Sequence, residues 1–150
     1  MKLEDAIKQK GFKTEDEKLV INLTYTSSWL AHEQTRFFKR FGISAQQYNV
    51  LRILRGQCPD PASVSLIQER MLDKMSNASR LVEKLKLKGL VERKECSKDR
   101  RQVDVAVTET GLKLLTDIDQ VQHDMNNVCN NLNLKEKQTL NGLLDKIRTN

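Results

Sequence analysis

The chain has 150 residues, 31% of them charged and 5% aromatic, with 2 Pro and 6 Gly. That is about one domain's worth of chain with little loop material, which favours helices; no internal repeat, low-complexity segment or clear linker is visible. The net charge of +6 fits a polyanion partner such as nucleic acid, although a mildly basic soluble surface alone would also produce it.

Three cysteines, Cys58, Cys96 and Cys129, are too widely spaced for a disulfide framework or a zinc ribbon. The N-terminal MKLEDAIKQKGFKTEDEK lacks the apolar stretch of a signal peptide. No apolar run approaches the ~20 residues of a membrane span. A cytoplasmic protein with reduced thiols is expected.

Taken in chain order, residues 15–40 are predicted as one long helix. Leu19, Leu23, Thr26 and Leu30 recur at helical spacing, Trp29, Phe37, Phe38 and Phe41 load the second half, and Gly42 ends it. Ser44 and Gln47 form a capping box for a helix with Tyr48, Leu51 and Leu54 on one face. CPDPAS is a loop. A short helix over about 63–71 turns Val64, Ile67 and Met71 inward. Asp73 then caps a helix whose Met75, Ala78, Leu81, Val82 and Leu85 share one side at ~100° per residue. Ser76, Arg80 and Glu83 point the opposite way, flanked by Asn77, Ser79 and Lys84. Leu87 also falls on that polar side, which the pattern does not explain.

Gly89 ends this helix. LVERKE reads as a strand, CSKDRR as a turn, and QVDVAV as a second strand with Val103, Val105 and Val107 on one face. Thr108 caps a long helix over about 109–131, and a last helix from about Leu134 carries Leu140, Leu143, Leu144 and Ile147. The helices at both chain ends have apolar stripes longer than a small central domain can cover. They are read as a dimer interface; an intramolecular helix pair is the other reading.

The charge is concentrated. Residues 71–101 hold ten basic and five acidic side chains, an excess of five within one fifth of the chain. Short helix, tight turn, capped helix and basic hairpin tip make a winged helix-turn-helix, whose second helix fits the major groove of duplex DNA. Ser76, Asn77, Ser79 and Arg80 are the expected base or phosphate contacts, with Lys74 and Lys84 on phosphates. At the hairpin tip Arg101 is expected to enter the minor groove, Asp99 to brace it, and Lys98 and Arg100 to supply charge, Arg100 on phosphate. An ordinary hairpin with solvated charges is the plainer alternative.

ISAQQYNVLRIL, SRLVEKLKLKGLVER and above all KDRRQVDVAVTETG, with Asp99, Arg101, Thr108 and Gly111, resemble the MarR (multiple antibiotic resistance regulator) family of bacterial transcription factors. The likeness runs from about residue 15 to the end. It implies a mainly α (α+β) fold in a single domain spanning 1–150. About 43–108 would form the winged helix-turn-helix, and about 10–41 and 109–150 the N- and C-terminal dimerisation helices. It implies a sequence-specific double-stranded DNA-binding repressor, acting as a homodimer on a pseudo-palindromic operator and relieved in many members by a small aromatic or anionic ligand.

In the family the N-terminal helix borders the ligand crevice, which would put Trp29, His32 and Arg36 beside an aromatic carboxylate. The alternative is a core Trp29 with solvated His32 and Arg36. The peroxide-sensing branch carries its cysteine in the N-terminal helix, where this chain has none. Cys96, at the base of the wing, is either an inert thiol or an oxidant-responsive one. His32 and His123 alone do not make a closed zinc site, so no metal and no cofactor is expected. Without GxSxG, P-loop or HExxH, an enzyme is not expected. The competing function is a winged-helix protein-interaction module that does not bind specific DNA.

Overall fold

The computed structural model describes residues 1–95, 99 and 103–149. The described elements run α1 (Leu3–Ile7), α2 (Glu15–Lys39), α3 (Ala45–Gln57), β1 (Ala62–Ser63), α4 (Val64–Arg70), α5 (Ala78–Leu87), β2 (Val91–Glu95), β3 (Val103–Val107), α6 (Glu109–Gln120), α7 (Gln122–Asn126), a 3₁₀ turn (Asn127–Cys129) and α8 (Leu134–Ile147). None of these helices is long and apolar enough to cross a membrane.

Caps set the helix starts. Thr14, Ser44, Ser63, Thr108 and Asn133 each accept a backbone N–H three residues on, and Ser44–Gln47 and Asn133–Glu136 close full capping boxes. Gly42 and Gly89 end α2 and α5 with φ of +68°, a left-handed conformation that side chains with a Cβ adopt at a cost.

The strands form one antiparallel sheet of order β1-β3-β2, with Val105 opposite both Ala62 and Arg93. The sequence reading saw only the β2–β3 hairpin. A two-residue strand has no period to detect, and β1 exists only because β3 offers it an edge. The sheet closes over a core in which Phe38, Leu51, Leu54, Ile67, Met71, Val82, Leu85, Val105, Leu115 and Ile118 are essentially inaccessible. At roughly 1.5–3 kcal/mol for each large side chain buried, this cluster is the main favourable term holding α3, α4 and α5 to the sheet.

Two boundaries depart from expectation. The helix predicted over 109–131 breaks at Val121, whose φ of −115° and ψ of 13° leave the helical region. Past the break, Asn126, Asn127, Asn130 and Asn131 are weak helix formers. The second departure, at α5, shapes the candidate site.

Candidate nucleic-acid interface

The sequence reading started the second helix of the helix-turn-helix at Asp73; it starts at Ala78, capped by Asn77, whose Oδ1 accepts the Arg80 amide at 3.0 Å. Asp73 is used locally instead. Its carboxylate accepts the Met75 amide at 3.0 Å in an Asx turn, and its carbonyl accepts the Ser76 amide at 3.1 Å. Two side chains from neighbouring helices hold the rest of the turn. Asn49 Oδ1 on α3 accepts the Leu72 amide at 2.8 Å, and Gln68 Oε1 on α4 accepts the Ala78 amide at 3.0 Å. Lys74 Nζ donates to the Glu69 carbonyl at 2.5 Å.

This long turn moves several predicted residues. Met75, expected inward, is 91% exposed, and Leu72 is 86% exposed. Ser76, expected on the outward face of the helix, precedes it, and its hydroxyl is buried without a hydrogen-bond partner among the described residues. Asn77 is exposed but spends its carbonyl oxygen on the cap. Ser79, Arg80 and Lys84 lie exposed on α5, and Ala78, Val82 and Leu85 face the core. Glu83 is also outward and ion-pairs with Arg93 on β2, tying the outer face of α5 to the wing's first strand.

The turn and α5 share a shallow concavity of about 320 Å³ lined by Gln46, Asp73, Ser76, Asn77, Arg80, Leu81 and Lys84. Its cations and short polar side chains suit a phosphate or a base edge. Gln46 and Leu81 were not foreseen there. Gln46 enters because α3 starts alongside α5, a packing relation without a signature in the sequence.

At the wing, Lys98, Arg100, Arg101 and Cys96 lie outside the described residues. Asp99 is exposed and engaged by a partner. The base of the wing is held from α6. Thr108 Oγ1 donates to the Gly89 carbonyl at 2.7 Å and accepts the Gly111 amide at 3.1 Å, and the Thr108 amide donates to the Leu90 carbonyl at 3.1 Å. Thr108 and Gly111 therefore act in joining the end of α5, the wing and α6.

Polar links join α2 and α3 to α6 and α7, the helices that follow the wing. Arg55 on α3 grips Asp119 with two bonds of 2.6 and 3.3 Å, and the Asp119 hydrogen bond raises the Arg55 pKa above its ordinary value. Tyr48 Oη donates to Gln122 Oε1 at 2.9 Å, and Arg40 meets Asp124 at 3.1 Å. Beside Arg40 lies a second concavity, of about 240 Å³, between α2 and α7. It is floored by Phe37, Met125 and Val128, with Arg36 and Arg40 at its rim. Both arginines are paired to acids within it, Arg36 to Glu33 at 3.2 Å and Arg40 to Asp124. Of the predicted effector residues only Arg36 lines this space; Trp29 and His32 are exposed on α2.

A helix-turn-helix backed by a three-stranded sheet, with a cationic outward helix face, defines a winged helix-turn-helix protein. Comparison with known proteins narrows the class. A sequence model of the MarR family matches residues 41–102. A MarR transcription factor from Planctomyces limnophilus is 30% identical, with a TM-score of 0.69 over 90% of this chain and 98% of that one. The transcriptional repressor MprA of Escherichia coli K12 is 25% identical over 151 aligned positions, 97% of this chain and 86% of that protein. A mutant MarR from Escherichia coli, solved complexed with operator DNA, has a TM-score of 0.79 at 23% identity, over 93% of this chain and all of that one, a likeness of fold. The chain belongs to the MarR family. It is a DNA-binding transcription regulator rather than an enzyme.

Proposed function

We propose that the protein works in the cytoplasm as a homodimeric repressor on a pseudo-palindromic operator and leaves it on binding a small anionic effector. The observation carrying this reading is a pair of surfaces the single chain leaves unfinished. One is the outward face of α5, where Ser79, Arg80 and Lys84 stand free of the core. The other is apolar: Leu19, Val20, Tyr25 and Trp29 on α2 and Leu134, Leu140, Leu143 and Ile147 on α8 are all exposed. A second copy covers the apolar surface and presents two α5 helices to successive major grooves, ~34–36 Å apart.

In this reading Arg80 bonds a guanine edge, Ser79 and Asn77 reach bases or phosphates, and Lys74 and Lys84 lie along the backbone; Ser76, expected there from the sequence, has its hydroxyl buried and lies behind them. At the wing Lys98 and Arg100 neutralise phosphates, Arg101 enters the minor groove and Asp99 steadies it. The cleft beside Arg36 and Arg40 is the effector's place. A carboxylate entering it must displace Glu33 or Asp124, and an aromatic body would lie on Phe37 and Met125. Such a ligand shifts the equilibrium only by its differential affinity for the two arrangements of the dimer.

The test is fluorescence anisotropy of a duplex from upstream of the protein's own gene against an unrelated duplex, across a salt series. Selective binding is expected, with log affinity falling by about 0.9 per phosphate contact against log salt. Arg80→Ala should weaken the selected duplex by at least about 30-fold, since each of two subunits loses a contact worth ~1–3 kcal/mol, and should barely affect the unrelated one. Arg101→Ala should weaken binding with a smaller loss of selectivity. Equal, salt-insensitive binding of both duplexes would sink the repressor reading.

A further inference from the structure

We propose that the turn between α4 and α5 is itself a sequence reader, with Leu72 and Met75 packing against thymine 5-methyl groups in the major groove; this rests on the DNA-binding reading above. Two large apolar side chains, 86% and 91% exposed, sit three residues apart in one turn, and nothing among the described residues covers them. They are not on a loose loop. Asn49 clamps the Leu72 amide, Asp73 clamps the Met75 amide and Gln68 clamps the start of α5. The backbone is thereby fixed with both side chains outward, so little ordering entropy is lost when a partner docks.

The turn belongs to the cationic face. Asp73 and Ser76, the residues flanking Lys74 and Met75, line the same concavity as Arg80 and Lys84. Charge complementarity therefore commits this apolar pair to a polyanion. The accessible apolar feature of duplex DNA in the groove that receives α5 is the thymine C5-methyl. Leu has no hydrogen-bonding group and the Met thioether is only a weak acceptor, so the pair distinguishes bases chiefly by that methyl. An A·T preference is then expected beside the position contacted by Arg80.

The experiment uses the full-length protein and a duplex enriched by it from a random pool. Each thymine of the enriched half-site is replaced in turn by deoxyuridine, which removes only the methyl. At one or two positions the wild type should bind about three- to fivefold more weakly, the effect of one buried methyl group. In Leu72→Ala/Met75→Ala that dependence should vanish, while thymine and deoxyuridine duplexes bind alike and the melting temperature stays unchanged. Four outcomes overturn the inference: no methyl dependence in the wild type, an equal dependence in the double variant, an enriched site without thymine beside the Arg80 position, or a changed oligomeric state in the double variant. Failure to bind any duplex would overturn the DNA-binding reading as well.

Discussion

Leu140→Glu/Leu143→Glu is expected to break the proposed homodimer and to weaken operator binding by more than about a hundredfold. The case begins with α8. Its 14 residues are well capped, by the Asn133–Glu136 box at the start and the Arg148–Asp145 pair at the end, yet none is buried and Leu144 is only half-buried. A helix of this length is marginal in water by itself. Its apolar stripe, Leu134, Leu140, Leu143 and Ile147, is 44–72% exposed and has a counterpart on α2. Covering both stripes with a second copy supplies the apolar burial that α8 does not find within its own chain.

Two glutamates in that interface would bury unpaired charges. The loss in affinity follows from geometry. When one α5 is bound, the second is held near its half-site at high effective concentration, and that linkage is commonly worth 10²–10⁴ in affinity. Analytical ultracentrifugation of wild type and variant at micromolar concentration, with anisotropy on the same samples, checks both parts. A monomeric wild type would remove the basis for the expectation.

Gly111→Ala should lower stability by about 1–3 kcal/mol, and the melting temperature by several degrees, even though alanine is the better helix former. A Cβ at this position would stand 2.3 Å from the Leu90 carbonyl oxygen and 2.7 Å from Val107 Cγ2. Val107 can give by a small rotation, but the carbonyl is backbone. It also accepts the Thr108 amide, so moving it strains the junction of wing and α6. The helix-propensity gain of at most ~1 kcal/mol does not offset overpacking against backbone. Gly56→Ala is the contrast. That site has open space around it, so alanine there should be neutral or stabilising by up to ~1 kcal/mol. Thermal unfolding of the two variants beside wild type separates these signs; equal melting temperatures for both would contradict the close approach at Gly111.

Much of the fold is local chemistry and is legible from the chain. Ser44–Gln47 and Thr108 cap the helices they precede, and Gly42 and Gly89 end theirs, because capping and left-handed turns involve residues at most a few positions apart. Amphipathic spacing likewise turned Ala78, Val82 and Leu85 inward before any packing was known. The T-x-x-G pattern at Thr108 and Gly111 was visible as a motif. Its reason, a hydroxyl bridging α5 to α6 and a backbone approach only glycine permits, was not.

What the sequence by itself determined is therefore the order of the longer helices, without α1 or the break at Val121, the alternation that makes the wing, and the concentration of positive charge along residues 71–101. Only the tertiary structure decided where the second helix of the helix-turn-helix begins. Asp73 and Asn77 are both good caps, and the choice between them rests on side chains arriving from elsewhere: Asn49, 23 residues before the Leu72 amide it accepts, and Gln68, ten before that of Ala78. Those two bonds put Met75 outside and Ser76 inward, against the helical count. The packing of α3 alongside α5 likewise brings Gln46 beside Arg80 and Lys84. A periodic pattern reports which face of an element is apolar. It carries no information about backbone groups that will be satisfied by distant side chains, and in this protein those groups set the shape of the proposed DNA-binding surface.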